Sequence, residues 1–434
     1  MEKSILLSFV ALLFIGSNCS SWAQNKLQLN QKHVDGGNGH AVILDKKGNV
    51  WTTGRNNFGQ IGDGTFKNSP HPKKVGQLKN IVAISRGYDH SIALDNNGYL
   101  YLWGRNNYGQ IGCISANDQS LPQKLPNHRN FISVEGGHWH TVALKKDGTV
   151  WSWGHNYFAE LGNGTREHSS WPVQVVQKSG SKISILHDVI SIASVGYHTL
   201  ALKKDGTVWG WGSNTFFELG QDAKELQPFA IQIKGLPKIK HIAVGWHHSV
   251  ALDVNGNIWI WGSDPAFQFK EETLKYYKRP QQLKNLPKFT KIACGSWHSL
   301  AIDIHKNVWA WGKNHFGMLG IGDTISRSFP IQIKSLHQIE DIGGGCFQSI
   351  VVNTKGKIFT FGDNPSGQQG IGTYARCHVP HLMPLSITGK LEAADAKIQT
   401  TNNSGFILKV MKYVLFSLSI LLNIFLFRKY KNKT

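Results

Sequence analysis

Six histidines, His40, His90, His140, His198, His248 and His298, recur at one position of a repeating pattern, and Gln348 stands at the seventh. Histidine is the commonest side-chain metal ligand and the usual general base near neutral pH. Residues carried on seven separate repeats cannot all ligate one ion, and glutamine replaces histidine as a hydrogen-bonding group without replacing it as a base. The pattern therefore predicts a hydrogen-bonding role inside each repeat. Cys377, His378 and His381 form the one cluster of ligand types, but three residues in a proline-containing stretch offer no fourth ligand for zinc. Gly59, Gly62 and Gly64 imitate a phosphate-cradling loop, whose chemistry needs a helix amino terminus behind the glycines. Here strand-like segments follow instead, so the glycines read as tight turns. No Gly-x-Ser-x-Gly elbow, His-Glu-x-x-His helix or isolated carboxylate pair appears. The expectation is a protein with no catalytic residue, no metal, no cofactor and no small-molecule substrate.

What these residues offer instead is contact surface. Immediately before the repeated histidine or glutamine stand Tyr88 and Asp89, His138 and Trp139, Tyr197, Trp246 and His247, Trp297, and Phe347. Large aromatic side chains with a polar handle are enriched in the cores of protein interfaces. The competing reading tucks the same rings between repeats or along a channel. The net charge of +20, from 47 Lys and Arg against 27 Asp and Glu, invites a nucleic-acid reading as well. Many of the lysines, however, fall at turns, among them Lys46, Lys47, Lys145, Lys146, Lys203 and Lys204. Turn tips are solvated, and their charge raises encounter rates more than it specifies a partner.

The elements that must position these residues follow from the repeat. A glycine-bounded aromatic segment recurs as GNVWTTG, GYLYLWG, GTVWSWG, GTVWGWG, GNIWIWG, KNVWAWG and GKIFTFG, and its closing glycines, Gly54 to Gly362, are spaced 50, 50, 58, 50, 50 and 50 residues apart. Seven such periods indicate propeller blades or a solenoid, since one unit cannot bury its apolar face alone. In the third unit His140 to Leu144 and Val150 to Trp153 are apolar runs joined by Lys145, Lys146, Asp147 and Gly148, which predicts an antiparallel hairpin. Ile132 to Glu135 before it and Val173 to Val176 after it complete four strands. Four-stranded units packed face to face, with tryptophans in the wedges, make a propeller core.

The Gly-x-x-His-x-x-Ala-Leu strand (Gly137 to Leu144), the Gly-x-Val-Trp-x-Trp-Gly strand and the loops GRNNFGQIGDGT (Gly54 to Thr65), GRNNYGQIG (Gly104 to Gly112), GHNYFAELGNGT (Gly154 to Thr165) and GKNHFGMLGIG (Gly312 to Gly322) closely resemble regulator-of-chromosome-condensation repeats. The resemblance covers about His33 to Ser386. It implies an all-β fold, a seven-bladed β-propeller of about 50-residue repeats, with the last strand, Pro380 to Leu385, joining the blade begun by His33 to Leu44. It also implies a choice of functions: nucleotide exchange on a Ras-like GTPase, chromatin docking, or the binding and blocking of another protein. Two departures stand out, the eight extra residues around Gln177 to Asp188 and the loss of the glycine-rich loop in Ser263 to Pro280.

The two ends bear on that choice. Lys3, the apolar run Ile5 to Ile15 and the small residues Ser21 and Ala23 have the layout of a secretory signal peptide over 1–23. Phe406 to Phe427 is long and apolar enough to span a bilayer, and the basic tail 428–434 that follows places itself in the cytoplasm. The expected organisation is a propeller over 24–388, a polar linker over 389–405 and a transmembrane helix over 406–427. The propeller then lies on the extracytoplasmic side of a single-pass membrane protein. Its anionic partners there are a membrane surface, a cell-envelope polymer or an acidic protein, with no nucleic acid. The main expectation is an anchored protein-binding propeller, and the alternative a guanine-nucleotide exchange factor. Of Cys113, Cys294, Cys346 and Cys377, spacing fixes no disulfide, and Cys294 with Cys346 is the one pair to check.

Overall fold

The computed structural model describes residues 32–389 except 113–116, 222–223 and 265–275. In the third repeat His140–Lys145 pairs antiparallel with Val150–Gly154, from His140 opposite Gly154 to Leu144 opposite Val150. The turn between them carries Gly148 at φ 82°, the left-handed region that glycine enters without strain. Asp147 closes the turn by accepting from the Thr149 amide and hydroxyl. Phe131–Gly136 and Ser169–Gln174 flank this hairpin, giving a four-stranded antiparallel sheet in chain order.

Among the described residues seven sheets succeed one another, each made from a continuous stretch of chain, six of them four-stranded and the fourth widened to six strands. Their first strands, Val34–Gly36, Ile81–Arg86, Phe131–Gly136, Val189–Ser194, Ile239–Val244, Phe289–Cys294 and Ile339–Gly344, touch in a closed circuit around a central channel. This is the expected all-β, seven-bladed propeller, and the described residues contain no α-helix. The core consists of seven clusters, each bridging two neighbouring blades. Trp211 of the fourth blade, for example, is fully buried among Val142, Leu144 and Val150 of the third. Burial of such a ring supplies more hydrophobic stabilisation than any other single side chain in the wedge.

The seam differs from expectation. Cys377–Ser386, which contains Pro380 to Leu385, pairs with Lys357–Gly362 of its own blade, and the first blade supplies its own four strands, beginning with Val34–Gly36. The ring is closed by side chains instead. Met383, Leu385 and Ile387 pack with Val34, Ala41 and Ile43. The longer spacing is taken up by a hairpin, Val176–Ser179 with Lys182–Ile185, that adds to Leu226–Gln232 on the outer edge of the next blade through the parallel pair Gln177 and Ala230. In the fifth repeat Tyr276–Gln282 is an ordinary outer strand, and the rest of the unusual loop, including Lys275, lies largely outside the described residues. The signal peptide, the linker beyond Gly389, the transmembrane helix and the basic tail also lie outside them. Among the described residues no helix is long and apolar enough to cross a membrane.

Candidate partner-binding face

The turn from first to second strand in each blade is built on the Gly-x-x-His pattern. A Cβ at Gly137 would collide with the His140 ring, so glycine is required for the histidine to fold back over the turn. In five of the six copies the histidine then reaches across to the next blade, while both ring nitrogens of His40 are without a partner among the described residues. His90 Nε2 meets Thr141 Oγ1 at 3.1 Å, His198 meets Ser249 at 2.9 Å, His248 meets Ser299 at 2.9 Å and His298 meets Ser349 at 2.8 Å. His140 Nε2 lies 3.2 Å from Ser194 Oγ, and Gln348 Nε2 donates to His40 O across the seam at 3.0 Å. The hydrogen-bonding role is thus between blades, not within one, because the ring projects from the blade face rather than along the sheet. Burial pushes His90, His248 and His298 down to about 3 and His198 to about 4, so these rings are neutral latches.

These turns project the aromatic residues around the mouth of the channel. His138 is at the centre, with ring centroids 4.1 Å from Tyr88, 4.1 Å from Trp139, 4.8 Å from Tyr197 and 5.4 Å from Trp246. Trp246 continues the cluster to Trp297 at 4.8 Å, and His247 lies 5.7 Å from Trp297. Five consecutive blades are thereby joined in one aromatic surface. Tyr88, Trp139, Tyr197, Trp246 and His247 are half-exposed, whereas Asp89, His138 and Trp297 are buried beneath or beside them. Phe347 is half-exposed but separate, packing on Phe316 at 5.2 Å. It lines a recess of about 220 Å³ with Asn38, Arg55, Asp363 and Ser366.

The loops from third to fourth strand add the polar frame. Asp89 accepts from Arg55 at 3.5 Å and Arg105 at 3.4 Å, and the two guanidinium groups flank the Phe58 ring at 5.4 and 4.7 Å. Burial raises the Asp89 carboxyl while the arginines oppose that shift. His155 meets Glu160 at 2.7 Å, and His247 meets Glu218 at 3.4 Å. Tyr197 is pushed up to about 12 by burial, and Lys313, 4.3 Å above Trp297, is brought down to about 8 for the same reason. Reasoning from the repeated histidine missed Arg55, Phe58, Arg105, Tyr108 and His155. Their signal was available in the segment just after each closing glycine, because Gly54 and its equivalents pair with the repeated histidine and deliver the next residues to the same face.

Among the described residues no three His, Cys, Asp or Glu side chains are grouped to hold a metal ion. Cys294, Cys346 and Cys377 are buried free thiols, so the first two form no disulfide, and Cys113 lies outside the described residues. Below the aromatic mouth the channel holds charge instead. Lys32 reaches Asp35 at 3.3 Å and Glu135 at 3.0 Å, Arg86 meets Asp35 at 3.5 Å, and Lys291 pairs with Asp341.

Residues 116–412 match the RCC1-like domain, and RCC1 repeats match at 47–94 and at 31–60 and 81–110. The chain belongs to the RCC1-like domain family. Among solved structures, this RCC1-like propeller is similar to Prp20p from Saccharomyces cerevisiae, whose structure is described with its binding to Gsp1p and histones. The identity is 27%, the TM-score 0.62, and the alignment covers 72% of this chain and 80% of that one. Yeast RCC1 (Prp20) bound to Kap60 aligns at 20% identity and TM-score 0.67, over 79% and 84% of the two chains. Human WBSCR16 aligns at 22% identity and TM-score 0.66, over 75% and 88%. The latter two likenesses concern the fold alone. No curated protein matches the chain.

Proposed function

We propose that this RCC1-like propeller is an exported, membrane-anchored protein-binding module that takes its partner on the aromatic face. The observation that carries this reading is the joined surface of Tyr88, Trp139, Tyr197 and Trp246, half-exposed aromatic rings seated on a rigid ring of blades. Rigid aromatic surface binds with little loss of side-chain freedom, and central aromatics dominate interface energies. The layout of the two chain ends supports the extracytoplasmic placement. Partners are sought by proximity labelling from the intact anchored protein, then measured against alanine variants. Trp139→Ala and Trp246→Ala should each weaken binding by about 2 kcal/mol or more with little change in melting temperature. Unchanged affinity would overturn the assignment.

A second reading, nucleotide exchange on a small GTPase, is favoured by the 27% identity to Prp20p, which binds Gsp1p. Localisation separates the two. Protease added to intact cells or vesicles should digest the propeller while a carboxyl-terminal tag survives. A protected propeller that releases GDP from a Ras-like GTPase would establish the second reading instead.

A further inference from the structure

The blades present a second face of different chemistry. At the end of the strands opposite the aromatic mouth, each hairpin turn lies beside the link leading into its own blade. Lys146 N donates to Asn130 O, Lys204 N to Asp188 O, Val254 N to Lys238 O and Ile304 N to Lys288 O. Exposed at these turns are Lys46, Lys47, Lys146, Lys204, Lys306 and Lys355, and the links add Lys79, Arg129, Lys238 and Lys288. Fewer carboxylates are interspersed with them, and Asp45, Asp95, Asp253 and Asp303 are buried, accepting hydrogen bonds from the amides of their own turns. Asp147 and Asp205 hold Thr149 and Thr207, Asp188 pairs with Lys204, and Glu340 lies 4.0 Å from Lys46. On the aromatic face Arg55 and Arg105 share Asp89, Arg327 pairs with Asp323 and Arg376 with Asp363, while Lys67, Arg166 and Lys224 are exposed. On the turn face the exposed Lys and Arg side chains thus outnumber the exposed carboxylates Asp147, Asp205 and Glu340.

Two further features share that face. Val254 and Ile304, at turn tips, are 53% and 56% exposed. The described chain also leaves the ring there, since Ile387 O accepts the Lys46 amide beside the first hairpin turn. Residues 390–405 then separate it from the apolar run Phe406 to Phe427. A chain of that many residues reaches at most about 50–60 Å when fully extended. Attraction between basic side chains and an anionic surface acts within about 10 Å. Within that reach the turn lysines can meet the surface, and each lysine adds to the attraction. Apolar tips among lysines suit the headgroup boundary, where a chain of charges and a few buried apolar groups act together.

We propose that the turn face is apposed to an anionic lipid surface, with its lysines among the headgroups and Val254 and Ile304 entering the boundary, so that the aromatic face is directed away from the bilayer. This rests on the anchored reading above. The test uses the full chain in nanodiscs of phosphatidylcholine, alone or mixed with phosphatidylglycerol, and reads the acetylation rate of individual lysines by mass spectrometry. Lys47, Lys146, Lys306 and Lys355 should react at least several-fold more slowly on the anionic discs, the protection should vanish at high salt, and Lys67 and Lys224 on the other face should not change. Changing those four turn lysines to Glu, with the fold checked by melting, should abolish the protection of Lys238 and Lys288. Equal rates on both discs would overturn the proposal. Protection by short duplex DNA, with none by anionic discs, would overturn it in favour of a nucleic-acid face. If the chain washes off membranes at alkaline pH, the anchor itself is refuted, and flotation of the soluble chain with phosphatidylglycerol vesicles decides separately. Binding at least about tenfold weaker in the four-Glu variant supports the lipid face, and no binding refutes it.

Discussion

The repeated histidine does its work through one nitrogen and one neighbour. His298 Nε2 lies 2.8 Å from Ser349 Oγ, whose own proton goes to Met318 O, so the ring ties the sixth blade to the seventh. At the seam Gln348 takes the same place and donates to His40 O, which shows what the position demands: a planar polar group of the right reach, not a titrating base. His298→Ala should therefore cost about 2–3 kcal/mol, combining a lost buried hydrogen bond with a cavity, while His298→Gln should cost less than half as much. Denaturant midpoints of the two variants check this, and equal losses would mean that volume alone matters. The histidine-for-glutamine exchange was legible in the sequence because it falls at a fixed repeat position. That the bond crosses between blades was not, since spacing along one strand gives no information on which face the ring leaves.

At the scale of single elements, the local patterns were the most legible part. The hairpin His140–Lys145 with Val150–Gly154 falls where its apolar runs and Gly148 place it. The inserted segment was visible only as a longer spacing. Its pairing depends on one parallel contact, Gln177 with Ala230, and on Lys203 donating to Gln177 at 3.1 Å, neither of which has a sequence pattern. Ile183 and Ile185 on it are 54% and 41% exposed, but Leu186 just beyond is fully buried in the wedge. Deleting 177–184 while keeping Leu186 should leave the ring folded, lower stability by about 1 kcal/mol, as for an exposed element with few buried contacts, and leave partner affinity unchanged. Thermal melting and binding measurements test both halves. Collapse of the fold would show that the hairpin braces the third and fourth blades together.

For the whole molecule, seven blades could be counted from the closing glycines, but the seam could not be located. The resemblance implies that Pro380 to Leu385 joins the first blade, and Val34–Gly36, three residues with Asp35 in the middle, is too weak a strand by pattern to show that this blade supplies all four of its own. The ring is instead stitched by packing and by neutral histidines, which makes acid its predicted weakness. Burial holds His40, His90, His248 and His298 at about 3, His198 at about 4, and His140 well below its ordinary value. In the unfolded chain each titrates near 6.5. Between those limits the unfolded state binds more protons than the folded one, so stability is complete above about pH 6.5 and is lost as pH falls through the window from about 6.5 to 3. Six groups acting together give a slope of at most roughly 8 kcal/mol per pH unit, enough to consume the 5–15 kcal/mol typical of a domain. The turn carboxylates Asp45, Asp253 and Asp303, lowered by the hydrogen bonds they accept despite burial, lose their contribution only at still lower pH. The propeller should therefore unfold cooperatively by about pH 5, and the pH slope of the denaturant midpoint in His298→Gln should fall by about one proton relative to the parent. Intrinsic tryptophan fluorescence followed from pH 7 downward measures both, and a midpoint that stays level to pH 4 would refute the histidine stitching as the source of the ring's acid sensitivity.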